Sequence, residues 1–159
     1  MNKNIFSFAL ILLCFNCFSQ TKTNATNETK KTIKIKPPHL ITSMGVLKDS
    51  INLTPLDQAK AILSAPLKVT DDNNNTLTVT YYQFYYKSKA IFQDEKTGKY
   101  NQTSSIAADY FTSTPLPDKW IKLIRDELIS GEELYFFDIV AKDKEGHIFY
   151  APNFKIITK

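Results

Sequence analysis

His39 and His147 are the only imidazoles in the 159 residues, so any Ser-His-Asp relay would have to use one of them. Neither is flanked by a nucleophile elbow. A zinc site wants three or four His, Cys or acidic ligands at close spacing, and the chain shows no such spacing. Asp71-Asp72-Asn73-Asn74-Asn75 could offer oxygens to calcium. It lacks the Asp-x-Asp-x-Asp-Gly rhythm and the closing Glu, so it reads as a hairpin turn. Asp126-Glu127 and Glu132-Glu133 are carboxylate pairs; adjacent residues on a strand face opposite ways, so Glu132 and Glu133 make poor acid/base partners. They are expected on a solvated face. Gly45, Gly98, Gly131 and Gly146 are too scattered for a phosphate loop or a dinucleotide fingerprint. The expectation is therefore no catalytic residue, no metal site and no cofactor.

One segment has a composition suited to recognition. Tyr81, Tyr82, Phe84, Tyr85 and Tyr86 crowd six positions. Strand alternation puts Tyr82, Phe84 and Tyr86 on one face and Tyr81 and Tyr85 on the other. One face must enter the core. The other is either covered by a helix or left as a patch for a protein or a sugar. These five are the candidate binding residues.

The elements around that strand follow from periodicity and turn chemistry. Leu40 to Leu47 reads as a first strand. Thr54 as cap, Pro55 at the first helical position and Asp57 in the first turn start a helix over 55–64. Strands at 67–70 and 76–88 flank the Asp71–Asn75 turn. The alternation of Leu77, Val79 and Tyr81 breaks in the aromatic run, which predicts either two buried faces or a bulge. Residues 90–93 and 99–107 form another pair around Asp94-Glu95-Lys96-Thr97-Gly98. A second helix spans 115–129, with Pro115 and Pro117 in its first turn. Its stripe of Leu116, Trp120, Ile124 and Leu128 faces a core, and Gly131 lies just past its end. Strands at 134–142 and 147–158 enclose the turn Asp143–Gly146. Ile148, Tyr150, Pro152, Phe154 and Ile156 are expected on one face of the last strand, with Pro152 at an edge or bulge. Many short strands and two short helices predict a mainly β fold, an antiparallel β-sandwich.

The N-terminus reads as an address. Lys3 precedes the apolar run Ile5 to Phe18, and Cys17 and Ser19 place small residues before Gln20. This is the pattern of a secretory signal peptide over 1–19, cut between Ser19 and Gln20. The run is too short for a membrane span, which needs about 20 residues. Both cysteines, Cys14 and Cys17, fall inside it, so the mature chain has no disulfide. Residues 20–38 carry five lysines against one glutamate and almost no apolar content, the composition of a disordered basic linker. Residues 39–159 hold 14 basic and 15 acidic groups. A nearly neutral domain over 39–159 argues against nucleic acid.

The run Trp120-Ile121-Lys122-Leu123-Ile124, then Ser130 through Lys142, Gly146 and Phe154-Lys155-Ile156, resembles the C-terminal immunoglobulin-like domain of GldM-type gliding-motility proteins. Those are periplasmic parts of the type IX secretion machinery of Bacteroidota. The resemblance is mainly over 120–156 and extends in outline over 45–158. It implies an immunoglobulin-like sandwich. Two departures accompany it: the family carries an uncleaved membrane helix and several domains, and its Gly-Pro-Asp-Gly turn is Asp143-Lys144-Glu145-Gly146 here. Cleavage before Gln20 resembles the habit of that phylum. Asp49-Ser50-Ile51 resembles its O-glycosylation motif, with Ser50 as acceptor.

The expected function is an exported, non-catalytic binding or scaffolding domain of the bacterial envelope, linked to gliding motility or type IX secretion. It would reside in the periplasm or extracellularly and contact envelope proteins. The alternatives are a carbohydrate-binding module and a small glycan-acting enzyme with two carboxylates about 5–10 Å apart.

Overall fold

A computed structural model describes residues 38–48 and 50–159. The expected signal segment with its Ser19–Gln20 junction, the expected linker up to residue 37 and Asp49 of the glycosylation-like motif lie outside the described residues. The fold is mainly β and sandwich-like, with two short helices. Chain order is β1 (Leu40–Met44), β2 (Ile51–Thr54), α1 (Leu56–Ile62), β3 (Leu67–Asp71), β4 (Thr76–Gln93), β5 (Tyr100–Phe111), α2 (Asp118–Glu127), β6 (Glu133–Lys142), β7 (Ile148–Ala151) and β8 (Phe154–Thr158). Among the described residues no helix is long and apolar enough to cross a membrane.

The strands follow the order β1-β3-β4-β6-β8-β2, with β5 also pairing β4 and β7 also pairing β6. All pairs are antiparallel except β2 with β8. β1 and β2 stand at opposite ends of that order, yet only residues 45–50 join them. Six residues span roughly 20 Å at most, so the sheet has to curl until its ends approach. Gly45 begins this link with φ +57°, and Met44 and Leu47 exchange two backbone hydrogen bonds across the turn.

The break in the rhythm of β4 is a bulge. Leu77 and Val79 point into the core, then Tyr82, Phe84 and Tyr86 do. The ladder to β6 shifts between Val79 and Tyr81, and shifts again between Tyr81 and Gln83. On β6 the inward set changes from Leu134 and Phe136 to Ile139 and Ala141. On the last stretch it changes from Ala151 to Phe154 and Ile156. The three irregularities line up into one crease: Thr80-Tyr81 on β4, Phe137-Asp138 on β6, and Pro152-Asn153 between β7 and β8. Asp138 sits at φ +49°, a left-handed conformation that short polar side chains tolerate best. Gln83 Nε2 donates to Asp138 Oδ2 at 2.8 Å across the crease.

The crease corrects the expectation for the last strand. Pro152 ends β7 instead of continuing it, so Ile148 and Tyr150 stay outside, Tyr150 at 80 % exposure, while Phe154 and Ile156 are buried. Both helices begin later than predicted, because Pro55 and Pro117 occupy the capping position before each, and both end earlier, at Ile62 and Glu127. Thr54 does not cap α1; it ends the unanticipated β2. The apolar stripe of α2 holds: Trp120, Ile121 and Ile124 are buried. Trp120 meets Phe84 and Phe111 edge-on, at 5.4 and 6.2 Å between ring centres. Burying each such aromatic or aliphatic side chain contributes roughly 1.5–3 kcal/mol.

Replacing Asp138 separates backbone strain from side-chain bonding. Asp138→Val should destabilise by about 1–3 kcal/mol, since a β-branched residue resists this φ. Asp138→Gly should be nearly neutral, losing the exposed Gln83 bond but relieving the backbone. Chemical denaturation measures both, and equal losses would mean that the side chain, not the turn, matters.

Candidate functional site: an uncovered aromatic sheet face

The five aromatic residues of the β4 run divide between two environments. Tyr82, Phe84 and Tyr86 are buried, with α2 packed on Phe84 through Trp120. They are core residues and have no surface to offer a partner. Tyr81 and Tyr85 point to the opposite face and are half-buried. Strand pairing extends that face beyond them. Tyr110 on β5 stacks on Tyr81 at 6.1 Å. On β6, Tyr135 and Phe137 lie 5.2 and 6.1 Å from Tyr85 and stack on each other at 5.3 Å. Sequence reading missed Tyr110, Tyr135 and Phe137. The alternation in Tyr135-Phe136-Phe137, with only the middle ring buried, was the available signal.

The same face continues onto β8 and β2. Lys155 Nζ lies 4.9 Å from the centre of the Tyr135 ring, a cation–π contact, and bonds Glu133 at 3.2 Å. Lys87 reaches Glu133 from the other side at 3.6 Å. Asn153 Nδ2 donates to the Tyr135 hydroxyl at 2.8 Å. Ile51 and Leu53, opposite Lys155 and Ile157, are largely exposed. The result is an apolar face with one charged stripe and no helix of the described residues upon it.

Ring orientation limits what this face can hold. Tyr135 and Phe137 are within 11° of parallel, so their flat faces meet each other instead of the solvent. Lys155 occupies part of the Tyr135 face. A sugar platform needs open ring faces, and these contacts take up part of those of Tyr135 and Phe137.

Glu132 and Glu133 do face opposite ways, but Glu132 is not solvated. It is 2 % exposed. Its carboxylate accepts from the Tyr86 hydroxyl at 2.5 Å, the Lys89 amide at 2.8 Å and the Ile129 amide at 3.0 Å. Its own amide donates to Thr158 Oγ1 at 3.0 Å. The carboxylate thus joins β4, the segment after α2 and the start of β6, while its amide reaches β8. Burial, then the adjacent carboxylate, pushes the Tyr86 phenol well above its ordinary range. The Tyr82 hydroxyl, on the same face, is buried and finds no hydrogen-bond partner among the described residues.

The chemistry-bearing turns lie elsewhere. A cleft of about 430 Å³ is lined by Asp71, Asp143 and Glu145 among others. Hydrogen bonds from the Asn75 side chain, and from the Asn75 and Asn73 amides, hold Asp71 below the usual carboxylate range. Partial burial raises Asp143, but the bonds from His147 outweigh it and lower its carboxyl. A general acid needs the opposite shift. Asp143, Glu145 and His147 bring ligand atoms within 4.8 Å of one another, a grouping that sequence spacing did not suggest. It is a surface turn in which His147 Nδ1 is already bonded to Asp143 at 2.7 Å. His39 is exposed beside Asp72 at 3.1 Å. Ser50 is exposed too, and its carbonyl accepts from the Lys155 amide.

Two hydroxyl deletions on one strand face should diverge. Tyr86→Phe removes a donor from a buried carboxylate and should cost about 1.5–3 kcal/mol. Tyr82→Phe removes an orphaned group and should be neutral or stabilising by up to about 1 kcal/mol. Equal effects in denaturant titrations would contradict the Glu132 assignment. The Glu133 pair adds a pH dependence. Burial raises its carboxyl, but Lys155 and then Lys87 lower it further, below the unfolded value. That stability is present above the unfolded pKa near 4.3 and is lost as pH falls through the depressed folded value. Glu133→Gln should therefore flatten the acid limb by on the order of 1 kcal/mol; an unchanged slope would show that the pair contributes nothing.

Comparison with the models of known protein families finds none that matches the chain, and no curated protein is significantly similar to it.

Proposed function

We propose that this chain is an exported, non-catalytic binding or scaffolding domain of a bacterial envelope, and that it contacts a protein partner through the outer face of its sheet. The observation that carries this reading is the aromatic set Tyr81, Tyr85, Tyr110, Tyr135 and Phe137, which the described fold leaves without a covering element. A contiguous apolar patch with a charged stripe is the usual make-up of a protein interface, where aromatics are enriched. The charged stripe Lys87–Glu133–Lys155 would fix register more than affinity. The resemblance of residues 120–156 to GldM-type domains supports placing the partner among gliding-motility or type IX secretion components. The lowered carboxyls of Asp71 and Asp143 weigh against a glycan-acting enzyme. The mutually stacked rings weigh against a sugar platform.

A photo-crosslinking residue at position 135, in the chain expressed in its native envelope, tests this reading. The expected result is one defined envelope protein captured, with capture lost in Tyr85→Ser and Tyr81→Ser and kept in Leu123→Ser on the exposed side of α2. Capture of glycan alone, or capture indifferent to the sheet-face variants, would overturn it.

A further inference from the structure

β5 is an edge strand with little of what normally protects an edge. Among the described residues it pairs only with β4. Its register against β4 runs unbroken from Tyr82↔Phe111 to Gln93↔Tyr100, so no bulge twists it away. Its 12 residues contain no lysine, arginine or proline, and Asp109 is its one charge. Natural edges are usually shortened, charged, kinked or covered; this one extends for about 40 Å at roughly 3.4 Å per residue.

The strand also has two unlike halves. β6 backs β4 only as far as Lys87↔Glu133. Residues 106–111 therefore belong to the body of the sheet, whereas 100–105 lie in a two-stranded arm with residues 88–93. A two-stranded ribbon is marginal in water. The arm nevertheless exposes Ile91, Phe92 and Tyr100. The supported and unsupported halves are equal in length. Antiparallel pairing of β5 with itself sets each arm against the other molecule's body.

We infer that the chain forms a two-fold dimer in which β5 pairs antiparallel with β5 of a second copy, centred on Ile106. The Tyr110 amide bonds the Asp109 side chain at 2.9 Å and so faces the free edge. By alternation the amides of Ala108, Ile106, Ser104 and Gln102 face it too. The two-fold then places Ile106 opposite Ile106, Ser104 opposite Ala108 and Gln102 opposite Tyr110. Asp109 meets Thr103, so no like charges oppose. About eleven residue pairs give roughly ten hydrogen bonds, the number found in a typical interface, two of them made by Tyr110 amides that exchange their Asp109 carboxylate for the partner strand. The two outer faces fall on the same side of one continuous sheet, as an isologous contact requires.

Sedimentation velocity on the full chain from about 1 to 100 µM tests this. The expected result is a dimer for the native sequence and monomers for Ile106→Lys and for Ile106→Glu, whose side chains would each oppose their own kind. An equimolar mixture of the two variants should regain the dimer. A native chain that stays monomeric throughout, or variants that dimerise like it, would overturn the inference. Should the variants misfold, amide exchange on the native chain decides the matter. Protection at Gln102, Ser104, Ile106 and Ala108 that rises with concentration supports the dimer, and its absence overturns it. Tyr85→Ser and Tyr81→Ser should leave the dimer intact, so the dimer and the sheet-face reading succeed or fail separately.

Discussion

The crease across β4, β6 and the β7–β8 break is the constraint on which the other features depend. A strand that kept its alternation through all 18 residues of β4 would present either Leu77 and Val79 or Tyr82, Phe84 and Tyr86 to the core, but not both sets. Inserting one residue on β4 and compensating on β6 restores the register beyond the seam. Both apolar sets then point inward. Local twist also rises at a bulge, which helps a sheet whose end strands are tied by six residues to curl. Tyr81 and Tyr85 reach the outer face because of the same seam.

Glu132 plays a complementary part at the far end of the sheet. A buried carboxylate is unfavourable unless hydrogen bonds replace its water, and here three donors do so. They come from a side chain on β4, a backbone amide on β4 and a backbone amide after α2. The arrangement forms only when those elements are in place together, so it favours one packing of α2 over nearby slips. Removing the carboxylate would orphan all three donors at once.

Much of this was legible in the residues. The mainly β class, the α2 stripe, the turns at 71–75, 94–98 and 143–146, and the opposed faces of Tyr82 and Tyr85 followed from alternation and turn chemistry. Less visible was anything set by pairing between distant segments. β2 is four residues long, and only its parallel partner β8 makes it a strand. The role of Glu132 depends on donors 43 and 46 residues away. The aromatic face was half legible: β4 announced itself by density, whereas Tyr110, Tyr135 and Phe137 joined it only through register. Pro152 was expected at an irregularity, but nothing local showed that it would reverse which residues lie inside.

The parallel pairing of β2 with β8 also bears on how the molecule comes to be folded. Residues 51–54 must wait for residues 155–158, and β6 receives β8 at its opening pairs as well. A chain emerging N-terminus first has β1, β3, β4 and β5 in hand long before it can close. Until the last strand arrives, the Glu132 amide lacks Thr158 and one margin of the sheet is missing. The sheet therefore closes only when β8 docks, so its completion rests on a pairing between segments far apart in the chain.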